Sequence, residues 1–230
     1  MIQGRSSERK PSDQPPDKWV HWTTKEKINY LLNRGNHFMQ GHLQRTAFCV
    51  NEIALELFRE GQFPNDLSLS YLMVLSGASA LHDIGKLFLP PDVLSKPKGL
   101  SAKEFEIVKT HTEKGAEIIE KVIKEEGHSD SLLSLAADIA RSHHERWDGK
   151  GYPKGQKGDE IPLGGRITAV ADAFDALVSP RCYKESFSID SAESIIVEES
   201  GTHFDPKVVS AFVLVKDEIA MHYAKWAPKS

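Results

Sequence analysis

The sequence predicts an all-α fold because of its apolar spacing, its helix-capping residues and its lack of strand-like segments. Apolar residues recur at intervals of three and four over long stretches of the chain, as they do on the buried face of a helix. Ser101 and Glu104 have the spacing of a capping box, which marks the start of a helix. We find no convincing series of short alternating segments bounded by turns, so no sheet is expected.

In the first half of the chain, three helices are predicted. The first includes residues 25–32, and Thr23 or Thr24 could cap it. The second runs from about residue 40 to residue 57 and ends near Gly61. The third, residues 67–81, is mostly apolar or small, which is typical of a central buried helix.

The second half alternates between predicted helices and one long loop. Residues 149–165 are rich in Gly, Pro and Lys, so they are predicted to form a loop and are a candidate lid. The predicted helices are one that starts after Ser101 and carries His111, one over residues 132–144, one over residues 166–178, and a last one that starts at Asp205-Pro206.

Composition limits the class of protein. With 230 residues the chain can bury a substantial core, and 27% charged and 40% apolar residues are typical of a globular protein. We expect a disordered tail over residues 1–20 and a single domain over residues 21–230. The net charge of −4 gives no basic excess for a nucleic-acid polymer. Two cysteines, no secretory leader and no long apolar run predict a cytoplasmic protein without membrane insertion.

Pairs of metal-ligating residues are the strongest functional signal. His82 is followed by Asp83, and His143 is followed by His144, in a chain with 10 histidines. Imidazole and carboxylate groups suit divalent transition metals, and neither group is buried at low cost without a partner. Adjacent residues on a helix point about 100° apart, so each pair suits two neighbouring ions better than one. The sequence therefore predicts a site for two metal ions, with Asp83 able to bridge them.

The motifs around these pairs resemble those of the HD-GYP family, a branch of the HD superfamily of helical phosphohydrolases that is similar to cyclic di-GMP phosphodiesterases. The matching segments cover roughly residues 41–212. They include Gly41-His-Leu-Gln-Arg45, Leu81-His-Asp-Ile-Gly-Lys86, Lys109-Thr-His111, His143-His-Glu-Arg-Trp-Asp-Gly-Lys-Gly-Tyr-Pro153, Ile161-Pro-Leu163, Val170-Ala-Asp-Ala-Phe-Asp-Ala-Leu177, Arg181-Cys-Tyr-Lys184 and Gly201-Thr-His-Phe-Asp-Pro206. The resemblance implies an HD-superfamily helical bundle with a GYP loop.

The resemblance also implies a role for each matching residue. The metal ligands would be His42, His82, Asp83, His111, His143, His144 and Asp172. Asp83 and Lys86 would take part in catalysis, Lys86 by standing beside the scissile phosphate. Arg181, Lys184 and Tyr152 would contact the substrate, cyclic di-GMP. The cofactor would be two divalent or transition metal ions, with iron favoured and manganese as the other candidate. The GYP loop is also a candidate surface for protein partners.

One position departs from the family pattern. Many members carry a glutamate four residues before the first histidine ligand, where it helps to bind a third metal ion. This chain has Phe38 there, and Phe offers no lone pair. His37 lies about 140° around a helix from His42 and is a poor substitute. We therefore expect two metal ions and linear pGpG, not GMP, as the main product.

Two other functions remain open at this point. Helical scaffolds with a similar His and Asp set also host mixed-valent di-iron oxygenases, although Lys86, Arg181 and Lys184 suit phosphates better than an alcohol. A cyclic-dinucleotide-sensing or protein-interaction module without turnover is the third class, which the Phe38 position leaves open. Glu145 is a further candidate, because it could orient a ligand histidine.

Overall fold

The computed structural model describes residues 37–94, 96, 99–127, 130–179 and 186–226. The predicted tail and first helix and the Arg181 and Lys184 pair lie outside these residues, and at positions 37 and 38 the structure describes the backbone and not the side chains of His37 and Phe38. Within the described part the protein is all-α and has no strand, only one isolated bridge between Ser200 and Phe204. The predicted fold class is therefore confirmed.

Nine α-helices follow one another along the described ranges, with two short 3-10 helices between them. The 3-10 helices are Ile84–Phe88 and Gly158–Glu160. The α-helices are α1 His37–Arg59, α2 Leu69–Ser79, α3 Pro91–Leu94, α4 Ala102–Lys109, α5 His111–Glu126, α6 Ser131–Ser142, α7 Leu163–Val178, α8 Ile189–Glu198 and α9 Pro206–Trp226.

Four of these helices, α2, α4, α6 and α8, start at a residue whose side chain caps the first turn. Ser68 accepts a hydrogen bond from the backbone N–H of Tyr71 at the start of α2, and Asp130 does the same for Leu133 at the start of α6. Ser101 and Glu104 form the predicted capping box at the start of α4. Helix boundaries therefore follow local chemistry as well as apolar spacing.

The core lies between α1, α2, α6, α7 and α9. Its largest fully buried side chains include Ile53 and Leu57 of α1, Phe174 of α7 and Phe212 of α9. The rings of Phe174 and Phe212 lie 5.1 Å apart in a tilted arrangement. This packing brings α1 and α7 together, although their residues are more than 100 positions apart in sequence.

Three sequence predictions about elements are corrected by the structure. His111 does not lie within the helix that Ser101 caps; α4 stops at Lys109, and His111 is the first residue of α5. Helix α7 begins at Leu163, three residues before the predicted start at Arg166, so the loop ends earlier than predicted. Helix α3 lies in a segment predicted as a loop, residues 90–99, and helix α8 was not predicted either. None of the described helices is long and apolar enough to cross a membrane.

Candidate metal centre

The C-terminal ends of two helices place four of the candidate ligands. His82 and Asp83 follow the C-terminus of α2, His143 caps the C-terminus of α6, and His144 follows it. His82 and His143 are fully or almost fully buried, and so are Asp83 and His111. These four predicted ligands therefore lie inside the protein and are not solvated side chains.

Gly85 and Gly115 allow the turn after α2 to approach the start of α5 closely. A Cβ atom on Gly85 would lie 1.9 Å from the backbone oxygen of His111 and 2.7 Å from the backbone nitrogen of Gly115. Such distances exclude any side chain at position 85. The 3-10 helix that follows Asp83 can therefore lie against the first turn of α5, which brings His111 close to Asp83.

Asp83 lies between two pairs of histidines. Its Oδ2 atom is 3.8 Å from His42 Nε2 and 3.5 Å from His82 Nε2. Its Oδ1 atom is 3.4 Å from His111 Nε2 and 3.8 Å from His143 Nε2. The ligand atoms form two groups that share Asp83: one with His42 and His82, the other with His111, His143 and His144. This is the arrangement expected of a carboxylate that bridges two metal ions.

Backbone carbonyls orient three of the imidazole rings in the same way. Nδ1 of His82 donates to Ser79 O at 2.8 Å, Nδ1 of His111 to Val108 O at 2.7 Å, and Nδ1 of His143 to Ala140 O at 3.0 Å. In each case the acceptor is the carbonyl three residues earlier. Because a carbonyl can only accept, the proton is assigned to Nδ1, and the lone pair of Nε2 points toward Asp83.

The histidine lone pairs and the Asp83 carboxylate together favour the binding of cations at the centre of the site. The Nε2 atoms of His111 and His143 lie 3.3 Å apart, and those of His42 and His82 lie 3.4 Å apart. Oδ1 of Asp83 is buried and accepts no hydrogen bond from the residues that the structure describes. Lone pairs that face one another at these distances repel, whereas cations between them would be ligated. The residues present therefore fit two metal ions.

On the side of Asp83 that carries His111, His143 and His144, the pKa shifts support the same conclusion. Burial lowers the pKa of His111, of His143 and of His144, the last to about 3, so these rings are neutral as metal ligation requires. Burial alone would raise the pKa of Asp83, but the Lys86 ammonium group holds it well below its usual range. Asp83 is therefore an anion in the buried centre.

Two further predicted ligands or catalytic residues lie at the edge of the centre. Asp172, on α7, has its Oδ1 atom 3.4 Å from His42 Nε2 and 3.9 Å from His82 Nε2, so it lies on the His42 side of Asp83. Lys86 donates a short hydrogen bond to Asp83 Oδ2 and is about one-third exposed. Both positions are compatible with the predicted roles.

Tyr152 lies directly against the centre. Its ring stacks on the His144 ring with 4.9 Å between centroids, and its backbone N–H donates to His144 O at 3.1 Å. A Cβ atom on Gly151 would lie 2.3 Å from the backbone nitrogen of Arg146, so only glycine fits before the tyrosine. Burial raises the pKa of Tyr152, and its hydroxyl therefore stays protonated.

Hydrogen bonds hold the GYP loop, the segment around Gly151-Tyr152-Pro153, at several points. Glu145 accepts hydrogen bonds from the backbone N–H groups of Lys154 at 2.7 Å and Gln156 at 3.1 Å. The backbone N–H of Trp147 donates to His203 O at 3.0 Å. These contacts argue against a freely hinged lid. They also correct the expectation for Glu145: within the described part of the chain, its carboxylate accepts hydrogen bonds from the loop backbone and not from a ligand histidine.

One residue of the site was missed by sequence reasoning. Oδ2 of Asp175 accepts a hydrogen bond from His42 Nδ1 at 2.7 Å, and both of its oxygens accept from the Arg45 guanidinium, at 2.6 and 3.1 Å. Asp175 is buried on α7, three residues after Asp172. That spacing places the two carboxylates on one face of the helix and is the signal that could have identified it.

Comparisons with known proteins agree with this geometry. The sequence profile of the HD domain family matches residues 28–208. A cyclic di-GMP phosphodiesterase of Vibrio cholerae is 44% identical over 185 residues, which cover 79% of this chain and 37% of the relative. A cyclic di-GMP phosphodiesterase of Thermotoga maritima is 40% identical over 200 residues, 87% of this chain and 50% of the relative. The chain thus spans half or less of the length of these relatives.

A relative with a different named substrate and a solved structure complete the comparison. A 3'3'-cGAMP-specific phosphodiesterase of Vibrio cholerae is 36% identical over 196 residues, 85% of this chain and 35% of the relative. The solved structure of an HDG"Y"P protein from Bdellovibrio bacteriovorus superposes with a TM-score of 0.55 at 17% identity, covering 88% of this chain and 60% of that one. At that identity the structural match supports the fold alone.

Proposed function

This chain belongs to the HD domain family, in its HD-GYP branch, and we propose that it is a metal-dependent phosphodiesterase that opens cyclic di-GMP to linear pGpG. The observation that carries the proposal is the Asp83 carboxylate, whose two oxygens each face a pair of histidine Nε2 atoms. Two divalent ions held there would lower the pKa of a bound water and offset the charge that develops on the phosphoryl oxygens.

The metal ligands are proposed as predicted: His42, His82, Asp83, His111, His143, His144 and Asp172. Iron is the favoured metal and manganese the alternative, because His and Asp sites accept both and the chain offers no cysteine ligand among them. With Phe38 in place of a glutamate we propose two ions and not three.

Lys86 is proposed to stabilise negative charge on the substrate. Its ammonium group lies at the edge of the centre, on Asp83, and its side chain remains partly exposed. A phosphate group next to Asp83 would be within reach of the same ammonium group, where a fixed cation favours the more negative transition state. Arg181 and Lys184 are proposed to hold the substrate phosphates, because guanidinium groups bind phosphate oxygens in pairs.

An aromatic wall beside the centre suits the bases of a dinucleotide. We define this wall as Phe105 of α4, Tyr152 and Lys109. Phe105 is 46% exposed, although it is large and apolar, and its ring makes an edge contact with the Tyr152 ring at 6.3 Å. Lys109 Nζ lies 5.6 Å from the Phe105 ring centre and 5.7 Å from that of Tyr152. Nucleobases stack on such faces, and an adjacent cation favours an anionic ligand.

Turnover by metal-loaded protein is the direct test. Protein loaded anaerobically with Fe²⁺ or Mn²⁺ is expected to convert cyclic di-GMP to pGpG, as followed by chromatography. Asp83→Ala removes the bridging carboxylate and should abolish turnover. The proposal is wrong if loaded wild-type protein yields neither pGpG nor GMP under reducing or oxidising conditions. Oxygen consumption with an organic substrate would instead favour the di-iron oxygenase. Binding of cyclic di-GMP without turnover would favour a sensing module.

Arg181→Ala separates substrate binding from metal binding. Loss of one charge-assisted contact costs about 1.5–3 kcal/mol, so the KM for cyclic di-GMP should rise roughly 10- to 150-fold. The metal content should stay at two ions per chain, because a guanidinium group does not ligate a cation. If the variant loses its metals, the assignment of Arg181 to the substrate is wrong.

A further inference from the structure

His42 is oriented by a different device from the other histidines of the centre. His82, His111 and His143 each donate Nδ1–H to a carbonyl three residues earlier, at or next to a helix end where carbonyls lack helical partners. His42 lies inside α1, where the carbonyls of the preceding turn already accept helical hydrogen bonds. It therefore needs an acceptor from another part of the chain.

Asp175 supplies that acceptor and is itself held in place. Arg45, one turn after His42 on α1, donates to both carboxylate oxygens of Asp175, and Ser179 Oγ donates to Oδ1 at 3.2 Å. The Arg45 guanidinium also lies 5.8 Å from the centre of the Tyr223 ring on α9. The orientation of His42 thus depends on packing among α1, α7 and α9, whereas the other three rings depend on their own backbone.

We propose that Asp175, positioned by Arg45, sets the metal affinity of the His42 side of the centre independently of the His111 side. A carboxylate that accepts from Nδ1–H fixes the ring and makes Nε2 a stronger ligand. The two metal positions are therefore unequal. The metal position on the His111 side has three histidines, and backbone carbonyls orient the rings of His111 and His143. The metal position on the His42 side depends on the long-range contact of His42 with Asp175.

Asp175 is a positioning residue in this proposal. Its Oδ2 atom is bound to the Nδ1 side of His42, whereas the ligand atom Nε2 faces Asp83 and Asp172. Its negative charge is balanced by Arg45 and does not add to the charge of the metal ligands. The inference rests on the metal centre of the proposed function but not on the substrate.

Stepwise metal binding by Asp175→Asn tests the proposal. Metal-free protein is titrated with Mn²⁺ and with Zn²⁺, and binding is followed by calorimetry. Wild-type protein should bind two equivalents. The variant should lose affinity for one equivalent on the order of 10- to 100-fold and keep the other unchanged. His42→Ala should weaken the same step, and His143→Ala the other one.

Asp205→Asn is the matched control. Asp205 is also a buried carboxylate bound to an arginine, Arg166, at 2.8 Å; it lies directly before α9, and its hydrogen bonds in the described part of the chain go to Arg166 and Lys207 and not to a ligand histidine. The Asp205→Asn substitution should lower the midpoint of thermal unfolding of metal-free protein about as much as Asp175→Asn does. It should leave the affinities for both metal equivalents unchanged.

The outcomes separate this proposal from the proposed function. Wild-type protein that binds no metal would refute the metal-dependent function itself. Two equivalents in wild type with an unchanged Asp175→Asn titration would refute only the role of Asp175. Equal weakening of both steps, or the same weakening by Asp205→Asn, would also refute it, since either result would mean that Asp175 acts through general stability.

Discussion

At the residue scale, a few motif positions carry most of the site. The sequence alone indicated His82, Asp83, His143 and His144, because adjacent metal-ligating residues are uncommon in an ordinary core. It did not indicate Asp175, because a carboxylate on a helix is most often solvated, and its spacing from Asp172 does not show that its partner lies 133 residues away. Burial and long-range pairing are decided by the packing of α1 against α7.

Gly85→Ala tests how closely the turn after Asp83 must approach α5. The new Cβ would lie 1.9 Å from His111 O, so the 3-10 helix must move away. Overpacking of this kind costs about 1–3 kcal/mol, and for a domain of this size the midpoint of thermal unfolding should fall by roughly 2–12 °C. Metal affinity should fall too, since Asp83 and His111 would separate.

Gly99→Ala is the control for that substitution, because a Cβ there has no atom within 4 Å and its φ is not in the left-handed region. It should leave stability and metal binding unchanged. If Gly85→Ala behaves like Gly99→Ala, the close approach is not required for the centre.

At the scale of elements, apolar spacing and capping residues predicted most of the helices, and each miss has a physical cause. The break at Thr110 was missed because no glycine or proline marks the boundary between α4 and α5. Helix α8 was missed because it buries only Ala192 and Ile196, which is too few positions to define a period. Loop positions such as Tyr152 were predicted only through a family motif.

Helix α4 is expected to contribute to substrate affinity through Phe105. Base stacking on an aromatic side chain is worth about 1–3 kcal/mol, so Phe105→Ala should raise the KM for cyclic di-GMP roughly 5- to 150-fold. The value of kcat and the metal content should change little, because Phe105 contacts Tyr152 and no metal ligand in the described contacts.

Ile107→Ala provides a control on the same helix. Ile107 is also partly exposed, but it lies about 200° around α4 from Phe105. Its substitution should leave the KM unchanged. An equal rise in KM for both variants would mean that α4 acts through its general stability. An unchanged KM for Phe105→Ala would mean that the Phe105 side of the aromatic wall does not contact the substrate.

At the scale of the whole molecule, the centre joins parts of the chain that are distant in sequence. Its candidate ligands come from α1, the turn after α2, the start of α5, the end of α6, and α7. Without cations, the imidazole lone pairs and the Asp83 carboxylate face one another at 3.3–3.8 Å in the buried interior. The folded state should therefore depend on bound metal, because metal binds the folded arrangement and not the unfolded chain.

Removal of metal is accordingly expected to destabilise the whole protein. If metal is present at about 100 times its dissociation constant, it stabilises the folded state by about 2.7 kcal/mol. For a chain of 230 residues, chelation should then lower the midpoint of thermal unfolding by roughly 5–10 °C. In Asp83→Ala the shared ligand of both metal positions is lost, so chelator should change its midpoint little. A wild-type midpoint that does not respond to chelator, or an equal shift in Asp83→Ala, would show that the ions do not link these helices.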